Sequence, residues 1–173
     1  MLRRSIRHFV PAALFSAAVV LTGCASSPAT SSTVASGRVT IEPRVADAQV
    51  GGAIADVAMG MVGTQYRYGG TDPAEGFDCS GLVYYAYTQA GYEVPRTSQE
   101  LFRTARKIAI GDADPGDLMF FQDQTKLSHV GIYVGDGMFV HAPASGRNVA
   151  IASLDVPYYR QHLVAVGRLL PDR

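Results

Sequence analysis

Cys79 is the residue of this sequence best suited to nucleophilic chemistry. The chain has two cysteines, Cys24 and Cys79, and Cys79 stands in the run Asp78-Cys79-Ser80, where a helix is predicted to begin. The unpaired backbone N–H groups and the dipole at a helix start favour a thiolate, so we expect a lowered thiol pKa. A cysteine that only fills a core is a small apolar side chain, and a helix start between Asp and Ser is a poor place for one.

A thiol nucleophile needs a base that takes up its proton and later delivers that proton to the leaving amine. The chain has four histidines, His8, His129, His141 and His162. His8 lies in an N-terminal segment that is predicted to be removed, and His162 lies in a polar segment near the end of the chain. His129 and His141 remain as candidate bases, each at a predicted strand position.

The two candidate histidines flank one predicted hairpin. The run Gly135-Asp136-Gly137 is a strong turn signal. His129 lies seven residues before Asp136 and His141 lies five after it, an even difference that puts both rings on one face if no bulge intervenes. One histidine could then act as the base while the other orients its ring. Cysteine and histidine also bind zinc, but no two of these side chains have the close spacing of zinc motifs.

Three helices and an antiparallel sheet are predicted to position these side chains. Apolar residues recur at three- and four-residue steps from Ala48 to Val62. A second helix runs from the Cys79 region through Tyr87 and stops at Gly91, and a third covers Ser98 to Thr104. A period of two predicts five strands, at Asp117 to Phe121, His129 to Val134, Met138 to Ala142, Val149 to Ala152 and Leu163 to Leu170. Helices followed by an antiparallel sheet predict an α+β domain.

The first residues predict a lipoprotein signal peptide. Basic residues at Arg3, Arg4 and Arg7 precede an apolar run from Phe9 to Val20, and Leu21-Thr22-Gly23-Cys24 resembles the lipobox of bacterial lipoproteins. The apolar run is shorter than the ~20 residues of a membrane-spanning helix. In such lipoproteins the cysteine becomes the first mature residue and carries lipid, which predicts a membrane anchor at Cys24. The alternative is an ordinary signal peptide followed by an unrelated cysteine.

The chain is therefore predicted to have three parts: a signal peptide in residues 1–23, a lipidated cysteine and flexible linker in residues 24–46, and one folded domain in residues 47–173. In the lipoproteins that this start resembles, an aspartate after the cysteine retains the protein in the inner membrane. No aspartate follows Cys24, so the resemblance implies the periplasmic face of the outer membrane, if the cell has one. A lipidated Cys24 would leave Cys79 as a lone thiol, either reactive or paired with another chain. Removing the signal peptide leaves 12 of the 15 basic residues against 15 acidic ones, so nothing indicates binding to nucleic acid.

Five short blocks follow one another along the predicted domain. They are Tyr66-Arg67-Tyr68-Gly69-Gly70, Phe77-Asp78-Cys79-Ser80-Gly81-Leu82-Val83, Pro95-Arg96-Thr97-Ser98, Pro115-Gly116-Asp117-Leu118, and His129-Val130-Gly131-Ile132-Tyr133, which continues into Phe139-Val140-His141-Ala142. In this order they resemble the NlpC family of papain-like cell-wall cysteine peptidases. The resemblance covers about Ala48 to Leu170 and implies a papain-like fold, with N-terminal helices packed on a five- to six-stranded antiparallel sheet.

The resemblance implies a catalytic role for three residues. Cys79 would be the nucleophile, His129 the general base and acid, and His141 the polar residue that orients His129. The reaction would be hydrolysis of an amide through an acyl-enzyme, with no metal and no cofactor.

The resemblance also implies contacts around the nucleophile. Tyr66 matches a tyrosine that helps to hold the oxyanion or the substrate, although Tyr68 is close by in sequence. The backbone N–H of Cys79 could be a second oxyanion donor. Asp78 and Ser80 are expected to contact the substrate, while Arg96 carries either an exposed loop charge or a contact to a carboxylate.

The function implied by the resemblance is hydrolysis of peptidoglycan stem peptides, at the bond between the γ-carboxyl of D-glutamate and the diamino acid. Three alternatives remain open: an amidase or thiol acyltransferase of the same fold, a non-catalytic binding or scaffold lipoprotein, and a surface lipoprotein whose Cys79 pairs with another chain. Location near the wall is expected to depend on the lipid or on a protein regulator or adaptor.

Overall fold

The computed structural model describes residues 43–123 and 126–170. The predicted signal peptide, the lipidated Cys24 and almost all of the predicted linker lie outside these residues, so they stay predictions. Within the described part of the chain, no helix combines the length and the hydrophobicity needed to cross a membrane.

The described residues form four α-helices, which are α1 (Pro43–Gly60), α2 (Cys79–Gln89), α3 (Ser98–Thr104) and α4 (Pro157–His162). The predicted bounds of α3 are confirmed, and α1 begins earlier than its predicted start at Ala48. A 3₁₀ turn covers Ile110–Asp112. Sequence analysis missed α4, which is short and mostly exposed; Pro157 at its first turn is the one signal for it.

Eight strands accompany the helices: β1 (Thr71–Asp72), β2 (Gly76–Phe77), β3 (Arg106–Ile108), β4 (Leu118–Asp123), β5 (Lys126–Gly135), β6 (Met138–His141), β7 (Ala150–Ser153) and β8 (Leu163–Arg168). Strands β1 and β2 form a small hairpin, and the other six form one antiparallel sheet in the order β3-β8-β4-β5-β6-β7. The predicted α+β class with a five- to six-stranded antiparallel sheet is confirmed. Three strands were not predicted: the two-residue strands β1 and β2, and β3, a three-residue edge strand of the sheet with two exposed basic side chains.

Two apolar cores lie on opposite faces of this sheet, because successive side chains of a strand point to opposite faces. Helices α1 and α2 cover one face, where Ile54 and Leu82 pack with Val130 and Ile132 and all four are fully buried. The smaller cluster on the other face contains Met119, Phe121, Phe139, Leu154 and Val166, with Tyr159 of α4 packed against it. Burying one such side chain contributes about 1.5–3 kcal/mol, so the central strands that carry the site are firmly held.

The turn before β4 ties α1 to the sheet. Gly51 of α1 approaches this turn so closely that a Cβ at position 51 would lie 2.3 Å from the Pro115 carbonyl oxygen. The buried Asp117 accepts the backbone N–H of Asp114 at 2.8 Å and pairs with Nη2 of Arg168 in β8 at 2.6 Å. These contacts fix the start of β4, the neighbour of β5 in the sheet.

Candidate active site

Helix α2 presents Cys79 as its first residue. Asp78 is the N-cap: its backbone is extended, and its Oδ1 accepts a hydrogen bond from the Gly81 N–H at 2.6 Å. Residue 81 has to be glycine, since a Cβ there would lie 1.9 Å from the Gly70 carbonyl oxygen. The helix start is therefore locked against the loop that contains Gly70, and this fixes the position of the free, partly buried Cys79 thiol.

Burial raises the pKa of the Cys79 thiol, and the negative charge of Asp78 adds to the rise. The backbone N–H groups of Val130, Ser80 and Cys79 itself favour the thiolate and lower the pKa, but they do not outweigh burial. The expected lowering of this pKa by the helix start is therefore wrong, and the resting group is a protonated thiol. A neighbouring base has to remove the proton before the sulfur can attack.

His129 and His141 form a hydrogen-bonded pair. Nε2 of His129 lies 2.8 Å from Nδ1 of His141. His129 immediately precedes Val130, whose backbone N–H is close enough to the Cys79 sulfur to lower its pKa, so β5 brings the histidine near the thiol. The structure brings the three residues into one site, and their catalytic roles stay predictions.

His129 and His141 lie on the same face of the sheet because of a β-bulge. The sequence prediction had required that no bulge intervene. Tyr133 pairs with Phe139 but Gly135 pairs with Met138, so Val134 is an extra residue in β5. A regular hairpin closed by a two-residue turn would place the two histidines on opposite faces of the sheet. The bulge shifts the pairing by one residue and restores the shared face, so the predicted outcome holds for a different reason.

Both histidines are neutral in the resting site. Burial, with a smaller contribution from the charge of His141, lowers the pKa of His129 to about 3. Burial and the charge of Arg147 lower the pKa of His141 to about 4. A neutral imidazole keeps one ring nitrogen free to accept a proton. At neutral pH the site therefore holds a thiol and two unprotonated bases.

Tyr159 of α4 extends the row of polar side chains, and sequence analysis did not single it out. Its hydroxyl lies 3.4 Å from Nε2 of His141. Its ring packs edge-on against His141 and Phe139, with centroids 5.4 and 5.0 Å apart. Only the three-dimensional packing of α4 shows this contact, since 18 residues separate Tyr159 from His141.

Tyr66, rather than Tyr68, lies beside the thiol. Burial raises the pKa of the Tyr66 hydroxyl, and the nearby Cys79 and Asp78 raise it further. Tyr68 is 88% exposed. The backbone N–H of Tyr66 donates to the Arg147 carbonyl at 2.8 Å, which joins the loop before α2 to the loop after β6. Of the two tyrosines, Tyr66 is therefore the more buried one, and its hydroxyl is close enough to Cys79 to be affected by its charge.

Asp78 and Ser80, the two predicted substrate contacts, form a network with Arg96. Nη1 of Arg96 donates to Oδ1 of Asp78 at 3.0 Å and to Oγ of Ser80 at 2.9 Å, and Nη2 donates to Oδ2 of Asp78 at 2.8 Å. Burial alone would raise the pKa of Asp78, but Arg96 and the N–H groups of Gly81 and Gly69 hold it below its usual value. The internal partner of the Arg96 charge is thus the N-cap of α2, which sequence analysis did not identify.

Two cavities, of about 540 and 520 Å³, lie beside the histidine pair. His141, Pro143, Arg147 and Tyr159 line both, and His129 lines the second. Among residues 43–123 and 126–170, no group of three or more His, Cys, Asp or Glu side chains is arranged to hold a metal ion. A thiol, a neutral base, a residue that orients the base and nearby N–H and hydroxyl donors are the parts that amide cleavage through a thioester requires.

The NlpC/P60 family model matches residues 63–168, which contain Tyr66, Cys79, His129, His141 and Tyr159. The chain belongs to the NlpC/P60 family. The resemblance inferred from the five sequence blocks is thereby confirmed, and it covers the whole of the site described above.

Two relatives of this chain are endopeptidases by name. The chain is 42% identical over 120 residues to murein DD-endopeptidase MepH of Escherichia coli, in an alignment that covers 66% of this chain and 44% of that protein. It is 41% identical over 115 residues to the bifunctional muramidase/DL-endopeptidase CwlT of Bacillus subtilis, covering 65% and 34%. The chain therefore spans less than half the length of these relatives.

A solved structure supports the fold assignment. A lipoprotein-like NLP/P60 family protein of Staphylococcus aureus superposes with a TM-score of 0.65 at 32% identity, covering 72% of this chain and 42% of that chain. The helices packed on an antiparallel sheet are thus those of an NlpC/P60 domain, and the papain-like α+β fold expected from the sequence is confirmed.

Proposed function

We propose that this NlpC/P60 protein is a cysteine endopeptidase that hydrolyses an amide bond of peptidoglycan stem peptides. The observation that carries the proposal is the proximity of the Cys79 thiol to the backbone N–H of Val130, the residue after His129, which is hydrogen-bonded to His141. The names of two relatives, both endopeptidases and one of them a murein enzyme, support the substrate class.

The proton positions on the two imidazoles follow from their contacts. His129 uses Nε2 toward His141, so Nδ1 is the nitrogen left for Cys79. Nδ1 can accept a proton only if the His129 proton sits on Nε2, and that N–H then donates to Nδ1 of His141. His141 then carries its own proton on Nε2, which faces the Tyr159 hydroxyl oxygen. Tyr159 is in this scheme a positioning residue that holds His141 in the tautomer that orients His129.

The reaction begins when the Cys79 thiol transfers its proton to Nδ1 of His129. The sulfur attacks the amide carbonyl carbon, and the Cys79 N–H and the Tyr66 hydroxyl donate to the oxyanion. The C–N bond breaks as His129 gives its proton to the departing nitrogen, which leaves a thioester on Cys79. Water, deprotonated by His129, then attacks the thioester. The acid is released, and His129 returns the proton to the sulfur.

Within this substrate class, we propose cleavage between the γ-carboxyl of D-glutamate and the diamino acid. The relative named as a DL-endopeptidase supports this choice at 41% identity. The relative named as a DD-endopeptidase, at 42% identity, points instead to the D-alanyl crosslink. Because the two identities are so close, the bond has to be assigned from reaction products.

The test is digestion of purified muropeptides, with products identified by mass spectrometry. The full chain is used with Cys24→Ser, which leaves Cys79 as the only cysteine, beside the same protein with Cys79→Ala. Products cut between D-glutamate and the diamino acid, and absent with Cys79→Ala, are the expected result. Cleavage at D-alanine would change the assigned bond and leave the proposed mechanism standing. No cleavage of any muropeptide would overturn the proposal and favour a binding or scaffold protein.

We further propose that lipid on Cys24 anchors the protein at the periplasmic face of the outer membrane, where a protein regulator or adaptor could restrain it. The basic start, apolar run and lipobox-like Leu21-Thr22-Gly23-Cys24 support this anchor. Growth with an alkyne-bearing fatty acid should label the natural chain and not the Cys24→Ser variant. Equal labelling of both, or recovery of the natural chain in the periplasmic fraction without detergent, would refute it.

A further inference from the structure

The cavity of about 520 Å³ beside His129 carries two opposite charges that the proposed reaction does not use. Its lining includes the two histidines, the guanidinium-bearing Arg147, and Asp123 at the end of β4. Because burial keeps both histidines neutral at neutral pH, Arg147 and Asp123 dominate the charge of the cavity wall. Tyr158 and Tyr159 add hydroxyl groups to the same wall.

The backbone of Arg147 is held in the site by two hydrogen bonds. Its N–H donates to the Ala144 carbonyl at 3.1 Å, and its carbonyl accepts the N–H of Tyr66 at 2.8 Å. Its positive charge acts on both His141 and Tyr159, which places the guanidinium close to the end of the histidine row. The loop after β6 therefore holds the backbone of Arg147 in place beside the cavity.

Arg147 differs from most arginines of the described residues in having no carboxylate partner. Four others form ion pairs, namely Arg67 with Glu75, Arg96 with Asp78, Arg160 with Asp155, and Arg168 with Asp114 and Asp117. Among the side chains that the structure describes, those of residues 48–123 and 127–170, no hydrogen bond or ion pair joins the Arg147 guanidinium or the Asp123 carboxylate to another side chain. Two unneutralised charges of opposite sign on one cavity wall match a ligand that carries both an anion and a cation.

We propose that this cavity binds the zwitterionic distal end of the diamino acid, as part of the stem peptide assigned under the proposed function on which this inference rests. Arg147 would bind the distal carboxylate with two parallel N–H donors, for which a guanidinium is well shaped. Asp123 would accept from the distal ammonium group. His129 lines the cavity and protonates the departing nitrogen in the proposed reaction, so the cavity lies on the leaving-group side.

This assignment makes Arg147 a specificity-determining residue. A diamino acid with both an amine and a carboxylate at its distal end satisfies both charges. A lysine-type residue offers the amine alone, and a diamino acid with an amidated distal carboxyl is no longer an anion. Each of the latter two leaves Arg147 without a partner, so we expect both to be poorer substrates than the free carboxylate.

The experiment measures kcat/KM on three synthetic stem peptides that differ only at this end: distal carboxylate free, distal carboxyl amidated, and lysine. We expect the unaltered site to favour the free carboxylate by about tenfold, since the other two peptides leave the Arg147 guanidinium without a charged hydrogen-bond partner. Arg147→Gln should lower kcat/KM for that peptide by about tenfold and so abolish the preference. Arg147→Lys should recover part of it, and Arg103→Gln, at an exposed arginine of α3, should leave it intact.

Asp123 is tested by its own pair of peptides. Asp123→Asn should lower kcat/KM for the peptide with a free distal amine and not for the same peptide with that amine acetylated. Thermal melts of every variant check that the fold is kept. Cleavage of no peptide by the unaltered protein would count against the proposed function itself. Equal cleavage of the free and amidated peptides, or a preference that survives Arg147→Gln, would overturn the zwitterion site and leave the proposed function standing.

Discussion

At the scale of single residues, the proton of the site at neutral pH is on the sulfur of Cys79 and not on either histidine. Burial raises the pKa of Cys79 and lowers those of His129 and His141, because the charged form of each group loses hydration. Moving a proton from the sulfur to His129 separates charge in a partly buried place. Under the proposed function, the thiolate–imidazolium pair formed by this transfer is expected to gain its stability from the bound substrate and the developing oxyanion.

A protonated thiol beside two neutral histidines predicts how Cys79 reacts with an alkylating agent. We expect iodoacetamide to modify Cys79 slowly at neutral pH, with a rate constant that still rises above about pH 9, because only the thiolate reacts. The rate is measured by intact mass on the chain with Cys24→Ser. His129→Ala should change this profile little. A plateau between about pH 5 and pH 8 that His129→Ala removes would instead reveal a preformed thiolate–imidazolium pair.

The contact of Tyr159 with His141 leads to a second prediction for a single residue. Tyr159→Phe removes the acceptor for His141 Nε2–H, so kcat should fall about three- to tenfold, the range of one hydrogen bond, with KM unchanged. Nitrogen NMR should also show His141 changing from one tautomer to a mixture. Tyr84→Phe, at an exposed tyrosine of α2, is the control. An unchanged kcat together with an unchanged His141 tautomer would contradict the positioning role.

At the scale of the elements, the N-terminus of α2 is held by one buried carboxylate. Asp78 caps the helix, receives the N–H of Gly69 from the preceding loop and pairs with Arg96 from the segment before α3. One side chain thereby joins three segments around the thiol. Arg96 holds this carboxylate ionised, which makes the arginine a positioning residue for the helix start.

Loss of Arg96 should therefore weaken the fold more than loss of an exposed arginine. Arg96→Gln should lower the free energy of unfolding by about 1.5–3 kcal/mol at neutral pH, because the remaining carboxylate is only 13% exposed. Arg67→Gln, whose pair with Glu75 is more than half exposed on both sides, should cost about 0–1 kcal/mol. Urea denaturation measures both values. Equal losses for the two variants would show that the Asp78 pair has no structural importance.

The same pair has a defined pH dependence. The folded-state pKa of Asp78 lies below its ordinary value, so the stability it supplies is present above about pH 4, the unfolded value. That stability is lost as the pH falls through the folded pKa. The difference between the natural chain and Arg96→Gln should consequently shrink in strong acid.

Elements with local signals could be predicted from the sequence, and those set by long-range packing could not. α3 has Thr97 as a capping residue, with Oγ1 accepting from the Glu100 N–H, so its bounds follow from sequence alone. The bulge at Val134 and the strand β3 depend on pairing partners far along the chain. In the site, the residue types of Cys79 and His129 were enough to predict a nucleophile and a base. The contact of Tyr159 with His141 could not be predicted, because it forms only when α4 packs on the sheet.

At the scale of the whole molecule, the site joins four elements and two cores. Cys79 starts a helix of the larger core, while His141 and Tyr159 pack against Phe139 of the smaller one. His129 and His141 sit where β5 and β6 meet this smaller core; His141 is buried, His129 is half-buried, and both are uncharged. Protonating either imidazole therefore costs stability, so protonation and unfolding are linked.

The linkage predicts a loss of stability in mild acid. Each buried histidine has a folded pKa, about 3 for His129 and about 4 for His141, below the ordinary value of 6.5, so the unfolded chain binds the proton first. Stability is then complete above about pH 6.5 and falls as the pH drops toward the folded values, by on the order of 2 kcal/mol per histidine at pH 5.

Guanidinium denaturation at about pH 7 and pH 5 measures this loss in the natural chain and in a variant with both His129→Gln and His141→Gln. The double variant has no imidazole in the site to protonate, so its free energy of unfolding should change much less between the two pH values. His162→Gln leaves both buried histidines in place and should keep the full loss. If the natural chain and the double variant lose the same amount, the two imidazoles take up protons as easily in the folded chain as in the unfolded one, and the neutral resting site is wrong.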